Sequence, residues 1–153
     1  MRRTLFALAL ILFISCDIDK KTEENIDYVA KNEAEIQAYV EENNLTAERS
    51  NSGLYYVIEE EGTGTQATAS SNVTVAYKGY FRNGSVFDQS DAEGITIGLN
   101  QVIAGWTEGI AYFKEGGSGI LLVPAHLGYG SRDYNGIPGG SVLIFEVTLL
   151  SVN

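Results

Sequence analysis

Asp88 follows Val86 and Phe87 directly in the run Gly84-Ser85-Val86-Phe87-Asp88-Gln89-Ser90, a segment with the composition of a buried strand. An ionised carboxylate among large apolar side chains must be hydrogen-bonded or lie at the edge of a pocket, because burying it unpaired is costly. Asp88 is therefore a structural anchor or part of a site. Few other residues offer chemistry. His126 is the only histidine and Cys16 the only cysteine, so a zinc site fails on ligand count and no disulfide forms within the chain. His126 stands in the run 124–130 after an apolar segment and reads as a loop histidine rather than a base. There is no G-x-S-x-G for a serine nucleophile, and Gly116-Gly117-Ser118-Gly119 lacks the lysine and the strand-loop-helix setting of a phosphate loop. Asp88 with Asp91 or Glu93 matches the carboxylate pair of a glycosidase in residue type only, and acids in loops of an acidic protein are ordinarily solvated. What remains is aromatic: Tyr77, Phe87, Trp106, Tyr129 and Phe145, with one carboxylate, Asp88. Such residues are plain core or the lining of a binding pocket, and Trp106 is the less routine core choice because its indole N–H needs a partner.

The elements that must position these residues follow from periodicity. The chain has 153 residues, 44% of them hydrophobic, which suits one strand-rich domain with a tail. Its net charge of −10 repels nucleic acid, so DNA and RNA are excluded as partners. From Gly53 onward, short alternating segments are separated by Gly, Asn and Ser. The pattern predicts strands at 54–60, around Val73, Val75 and Tyr77, at 85–88, at 118–123 and at 142–152, the last with Leu143, Phe145, Val147 and Leu149 on one face. Asn83-Gly84 predicts a two-residue type I′ hairpin, which would bring Tyr77 close to Phe87 or Asp88. Ile103, Trp106, Ile110 and Phe113 recur every three or four residues and predict one short helix over 102–113. One helix inserted among about five antiparallel strands makes an α+β fold, a curved five-stranded sheet wrapped around the helix.

Ahead of this domain, Met1-Arg2-Arg3 and the apolar run 5–14 form a secretion signal, too short to span a membrane. The run ends in Phe13-Ile14-Ser15-Cys16, which resembles the lipobox of bacterial lipoproteins and implies cleavage before Cys16 and lipidation of its thiol. The expected organisation is a signal peptide over 1–15, lipidated Cys16 with a charged tether over 16–25, a helical extension over 26–50 and the main domain over 51–153. Within the extension, Ile26, Val29, Ala30, Ile36, Tyr39 and Val40 predict an amphipathic helix over 24–42 that stops at Asn43-Asn44. Its apolar stripe either packs on the domain or pairs with a second copy as a homodimer.

Five ordered motifs carry a resemblance: GLYYVIEEEGTG at 53–64, VAYKGYFRNGSVFDQS at 75–90, LNQVIAGWTEGI at 99–110, LLVPAHLGYG at 121–130 and IPGGSVLIFEVTLL at 137–150. Over about two thirds of its length the chain resembles the FKBP-type peptidyl-prolyl isomerases, and its N-terminus resembles their secreted bacterial members. The resemblance implies an isomerase of Xaa-Pro bonds in exported proline-containing polypeptides, needing no cofactor and no metal. It implies that the protein is held by its lipid at the periplasmic side of the outer membrane or at the cell surface. It makes Trp106 the floor of a proline pocket and places Tyr77, Phe87, Val102, Ile103, Tyr129, Tyr134, Ile137 and Phe145 around it. Asp88 becomes the pocket aspartate beside the Tyr77 hydroxyl, and Tyr129 the donor to the substrate carbonyl. The chain departs from the family in the short loop 91–94, which leaves no counterpart for an aromatic wall residue and an arginine. Arg132 is the substitute considered for that cation. Tyr134-Asn135 and Pro138-Gly139 replace other common residues of the last loop.

Overall fold

The computed structural model describes residues 27–153. The signal peptide, Cys16 and the tether lie outside the described residues. Among these residues no helix is long and apolar enough to cross a membrane.

The first element among the described residues is a helix, α1, Tyr28–Glu42. The Asp27 carboxylate caps it by accepting from the Val29 and Ala30 amides at 3.0 and 3.2 Å. At the other end Asn44 takes φ +52°, the Leu45 amide donates to Val40 O and the Asn44 amide to Glu41 O. This is the paired-bond stop of a helix with asparagine in the left-handed position, at the site where Asn43-Asn44 predicted an end.

Seven strands follow among the described residues: β1 Glu48–Arg49, β2 Tyr55–Glu60, β3 Asn72–Tyr80, β4 Val86–Gln89, β5 Ile95–Gly98, β6 Ser118–Val123 and β7 Leu143–Val152. They form one antiparallel sheet in the order β1-β2-β6-β7-β3-β4, with β5 also on β3. The expectation was five strands. The difference lies in the two-residue edge strand β1 and in the outer edge of β3, which pairs with β5 over Asn72–Val75 and with β4 over Lys78–Tyr80. The edge that reads as one strand is thus two, separated by the loop after Gln89.

The turn between β3 and β4 is not type I′. Gly84 has φ +84° while Asn83 is not in the left-handed region. The Gly84 amide donates to Phe81 O at 2.8 Å and the Phe81 amide to Ser85 O at 2.9 Å. This is a three-residue loop in which a type I turn leads into a glycine bulge, and Asn83 instead uses its side chain to accept from the Ser85 amide.

The helix over 102–113 is also shorter than its periodicity suggests. It divides into α2, Ala104–Gly109, and a 3₁₀ turn, Ile110–Tyr112, because Val102 and Ile103 are extended. α2 sits close on the sheet: a Cβ on Gly105 would meet Val123 Cγ1 at 2.5 Å, and one on Gly109 would meet Leu121 Cδ2 at 2.7 Å.

Burial on both faces of the sheet explains the continuous apolar run of β6. Leu121 and Val123 join Trp106, Ile110, Phe113, Leu143, Phe145, Val147 and Leu149 in the core under α2. Ile120 and Leu122 face the other way and pack with Tyr55, Val142, Ile144 and Ile36 of α1. The apolar stripe of α1 is therefore engaged in cis on the outer face of the sheet.

Candidate active site

Between α2, the inner face of the sheet and the loop 128–142 lies an open groove of about 890 Å³. Every residue expected around a pocket lines it: Tyr77, Phe87, Asp88, Val102, Ile103, Trp106, Tyr129, Tyr134, Ile137 and Phe145. β3 supplies Tyr77, β4 supplies Phe87 and Asp88, β7 supplies Phe145 and α2 supplies Trp106. Val102 and Ile103 come from the extended entry to α2, which is fixed by the Thr107 hydroxyl donating to Leu99 O at 2.5 Å.

The floor is a set of rings packed edge to face. Trp106 meets Tyr77 at 4.9 Å and 85° and Phe145 at 5.3 Å and 79°, and Phe87 meets Phe145 at 5.5 Å and 89°. Such arrangements match the positive edge of one ring to the negative face of the next. Gly79 makes room for two of them, since a Cβ there would fall 2.7 Å from the Phe87 ring and 2.9 Å from Phe145. Trp106 is 5% exposed, and its Nε1 is buried without a hydrogen-bond partner among the described residues.

The rim is polar on one side. The Tyr77 hydroxyl donates to Asp88 Oδ2 at 2.6 Å, and Asp88 itself is exposed. This explains the carboxylate beside Val86 and Phe87: its oxygens stand at the pocket edge, one of them charge-assisting a phenol. Arg132 does not supply the expected cation, because among the described residues Asp88 forms no salt bridge. On another side Tyr129 and Tyr134 stack at 4.9 Å and 11°.

Sequence reasoning missed Phe81, Val86, Ile95 and Ile97, which also line the groove. Ile95 and Ile97 alternate within β5 and supply an aliphatic wall where the short loop lacked an aromatic one; their period-two spacing was the available signal. His126 lies away from the groove, its Nε2 donating to Ser52 O at 2.8 Å.

Burial and, second to it, the Asp88 carboxylate push the Tyr77 phenol well above its ordinary value. Burial followed by the Tyr39 hydroxyl does the same to Tyr80, and the Glu48 carboxylate, with burial second, pushes Tyr56 up to about 12. Each folded value exceeds the unfolded one of about 10, so the stability these protons confer is complete below that pH and is lost as pH rises toward the folded values. The urea midpoint should accordingly fall from about pH 10 upward, and Tyr77→Phe should make the fall shallower. A midpoint that stays level from pH 9 to well above 11, within about the range where free tyrosine ionises, would contradict these assignments.

An antiparallel sheet packed on a short helix, with an apolar aromatic pocket between them and one carboxylate at its rim, defines a domain built to hold an apolar ring. The family model described as FKBP-type peptidyl-prolyl cis-trans isomerase matches residues 63–150. The chain is 45% identical over 107 residues to the FKBP-type peptidyl-prolyl cis-trans isomerase FkpA of Buchnera aphidicola, covering 68% of this chain and 42% of that protein. It is 45% identical over 98 residues to an FK506-binding protein of Neisseria meningitidis serogroup A, covering 61% of this chain and 90% of that one. The crystal structure of FkpA from Escherichia coli superposes with a TM-score of 0.73 at 39% identity, over 82% of this chain and 61% of that one. The chain spans about half the length of the FkpA relatives it matches, between 42% and 57% for three Buchnera proteins. This chain belongs to the FKBP-type peptidyl-prolyl cis-trans isomerase family.

Proposed function

We propose that the protein accelerates cis–trans rotation about Xaa-Pro bonds in polypeptides. The observation that carries this reading is the pairing of an aromatic floor, Trp106 with Tyr77, Phe87 and Phe145, with the Tyr77–Asp88 hydrogen bond at its rim. Rotation breaks no covalent bond. Its barrier of about 18–20 kcal/mol is the loss of amide resonance. A twisted amide is less polar than a planar one, so a dry ring-lined floor disfavours the ground state more than the transition state. The proline ring sits over Trp106, walled by Val102, Ile103 and Ile137. Tyr129 donates to the Xaa carbonyl, Tyr134 backs it by stacking, and the Tyr77–Asp88 pair holds the polar edge of the substrate amide. No bond-making group, cofactor or metal has a role in this chemistry.

The sequence of the N-terminal segment supports a setting for this activity: export by residues 1–15, lipidation at Cys16, a tether over 16–25, and clients among exported proteins. The extension over 26–50, which carries α1 and contributes the edge strand β1 to the sheet, precedes the isomerase domain over 51–153. The anchor belongs at the periplasmic side of the outer membrane or at the cell surface. A homodimer through 24–42 would have to use the side of α1 that bears exposed Val29, because the Ile36 side is engaged in cis.

The test is cis–trans exchange of a short Xaa-Pro peptide by NMR, with a chain beginning after Cys16. The parent should accelerate exchange, and Asp88→Ala should lower kcat/KM about tenfold, the equivalent of about 1.4 kcal/mol for one charge-assisted hydrogen bond. Binding without acceleration would make the domain a holder of proline segments instead.

A further inference from the structure

The loop between Gly128 and Val142 brings Tyr129, Tyr134 and Ile137 to the pocket. It is closed on itself. Tyr134 and Ile137 exchange backbone bonds at 2.9 and 2.8 Å, the Gly139 amide donates to Asp133 Oδ1, and the Gly140 amide donates to Gly130 O at 2.9 Å. The Gly130 amide in turn donates to Ala125 O at 2.8 Å. The loop thus has a neck, where Gly130 and Gly140 meet beside Ala125.

What fixes the neck is not a strand but α1. Asn32, fully buried, is the one buried polar side chain among the described residues. Its Oδ1 accepts from the Ala125 amide at 2.8 Å, and its Nδ2 donates to Gly140 O at 2.9 Å and to Glu35 Oε2 at 2.9 Å. One amide therefore joins both sides of the neck. One turn earlier on the same helix, the Tyr28 ring occupies the space a Cβ on Gly140 would take. A helix that docked through its apolar stripe alone would have no use for a buried amide, which is unfavourable unless every group finds a partner. Here the partners are the Glu35 carboxylate and two backbone groups that no strand satisfies.

We infer that α1 clamps the pocket loop and that Asn32 is a positioning residue for the site, holding the neck so that Tyr129, Tyr134 and Ile137 stand where a proline segment meets them. The kinetic part of this inference rests on the isomerase reading; the clamp itself does not. Loosening the neck lowers the fraction of molecules whose walls are in place, and apparent affinity falls by that fraction, while bound substrate closes the loop again and preserves turnover.

The experiment compares the parent with Asn32→Ala and Ile36→Ala, each at a temperature where it is folded. Asn32→Ala should raise KM for the peptide about fivefold or more with kcat within about twofold. The Gly130, Tyr134, Ile137 and Gly140 amides should exchange with solvent about tenfold faster relative to those of β6 and β7. Ile36→Ala removes outer-face packing from the same helix and should lower stability while leaving KM and the loop amides at parent values. Unchanged KM and unchanged loop exchange in folded Asn32→Ala would overturn the clamp, as would an equal KM rise in Ile36→Ala. If Asn32→Ala does not fold, Tyr28→Ala opens the Gly140 side alone and is read by the same amides. A parent without isomerase activity overturns the isomerase reading, and loop-amide exchange then decides the clamp by itself.

Discussion

Trp106→Ala is expected to lower kcat/KM for an Xaa-Pro peptide about 30-fold, the equivalent of about 2 kcal/mol of apolar contact between the proline ring and the floor. The same change should destabilise the fold by about 3–5 kcal/mol, the usual range for deleting a buried aromatic side chain. The reason lies in the packing. The indole is held edge to face by Tyr77 at 4.9 Å and Phe145 at 5.3 Å, so its removal empties the floor and frees both neighbours to tilt into the space. Trp106→Phe separates the two effects. It keeps an apolar floor and removes an indole N–H that has no partner among the described residues, so its stability should stay closer to the parent than that of Trp106→Ala. Exchange NMR and urea unfolding of the three proteins check this. A folded Trp106→Ala protein with the parent's acceleration would mean that the floor is elsewhere.

Gly119→Ala should be the most disruptive single-carbon addition in the sheet. Gly119 pairs with Ile58 beside the irregularity where β2 and β6 shift register. A Cβ there would overlap Val57 O on the neighbouring strand and lie 3.0 Å from the Phe113 ring. Neither neighbour can yield cheaply, because one is backbone in a ladder and the other is fully buried. Adding volume to a packed core costs about 1–3 kcal/mol and sometimes more. With strand separation added, a loss of about 3 kcal/mol and a fall in Tm of about 10 °C are expected. Thermal unfolding measures it. A Tm within about 3 °C of the parent would show that β2 and β6 can move apart freely here.

Legibility in the sequence followed the range of the interactions. β7 declares itself because burial alternates along a single segment, β6 because Ile120–Val123 is an unbroken apolar run, and the stop of α1 at Asn43-Asn44 is local chemistry. β5 did not, since four residues with two half-exposed isoleucines and a short acidic loop before them give little pattern. Asn83-Gly84 pointed correctly to a turn but to the wrong type, type I′, because the type depends on the register of β4 against β3. The ten expected pocket residues came from motifs; spacing alone left open whether Tyr77, Trp106 and Phe145 were plain core or pocket lining, because the fold brings them together from three separate elements. Phe81, Val86, Ile95 and Ile97 escaped because what makes them walls is the division of the β3 edge between two strands. The side on which α1 docks was equally hidden: an apolar stripe tells that a helix is covered, not by what. Asn32 reads in sequence as one more polar residue of a solvated helix, and only the neck of a loop about a hundred residues away makes it buried.

The chain's only tryptophan is the pocket floor. Its ultraviolet emission therefore comes from one place, and that place is where a ligand would land. The edge-on tyrosine at 4.9 Å lies well within the reach of energy transfer, so light absorbed by the phenol also arrives at the indole. Each change in occupancy of the groove becomes a change in colour and yield of a single intrinsic lamp, readable in the native protein without a label.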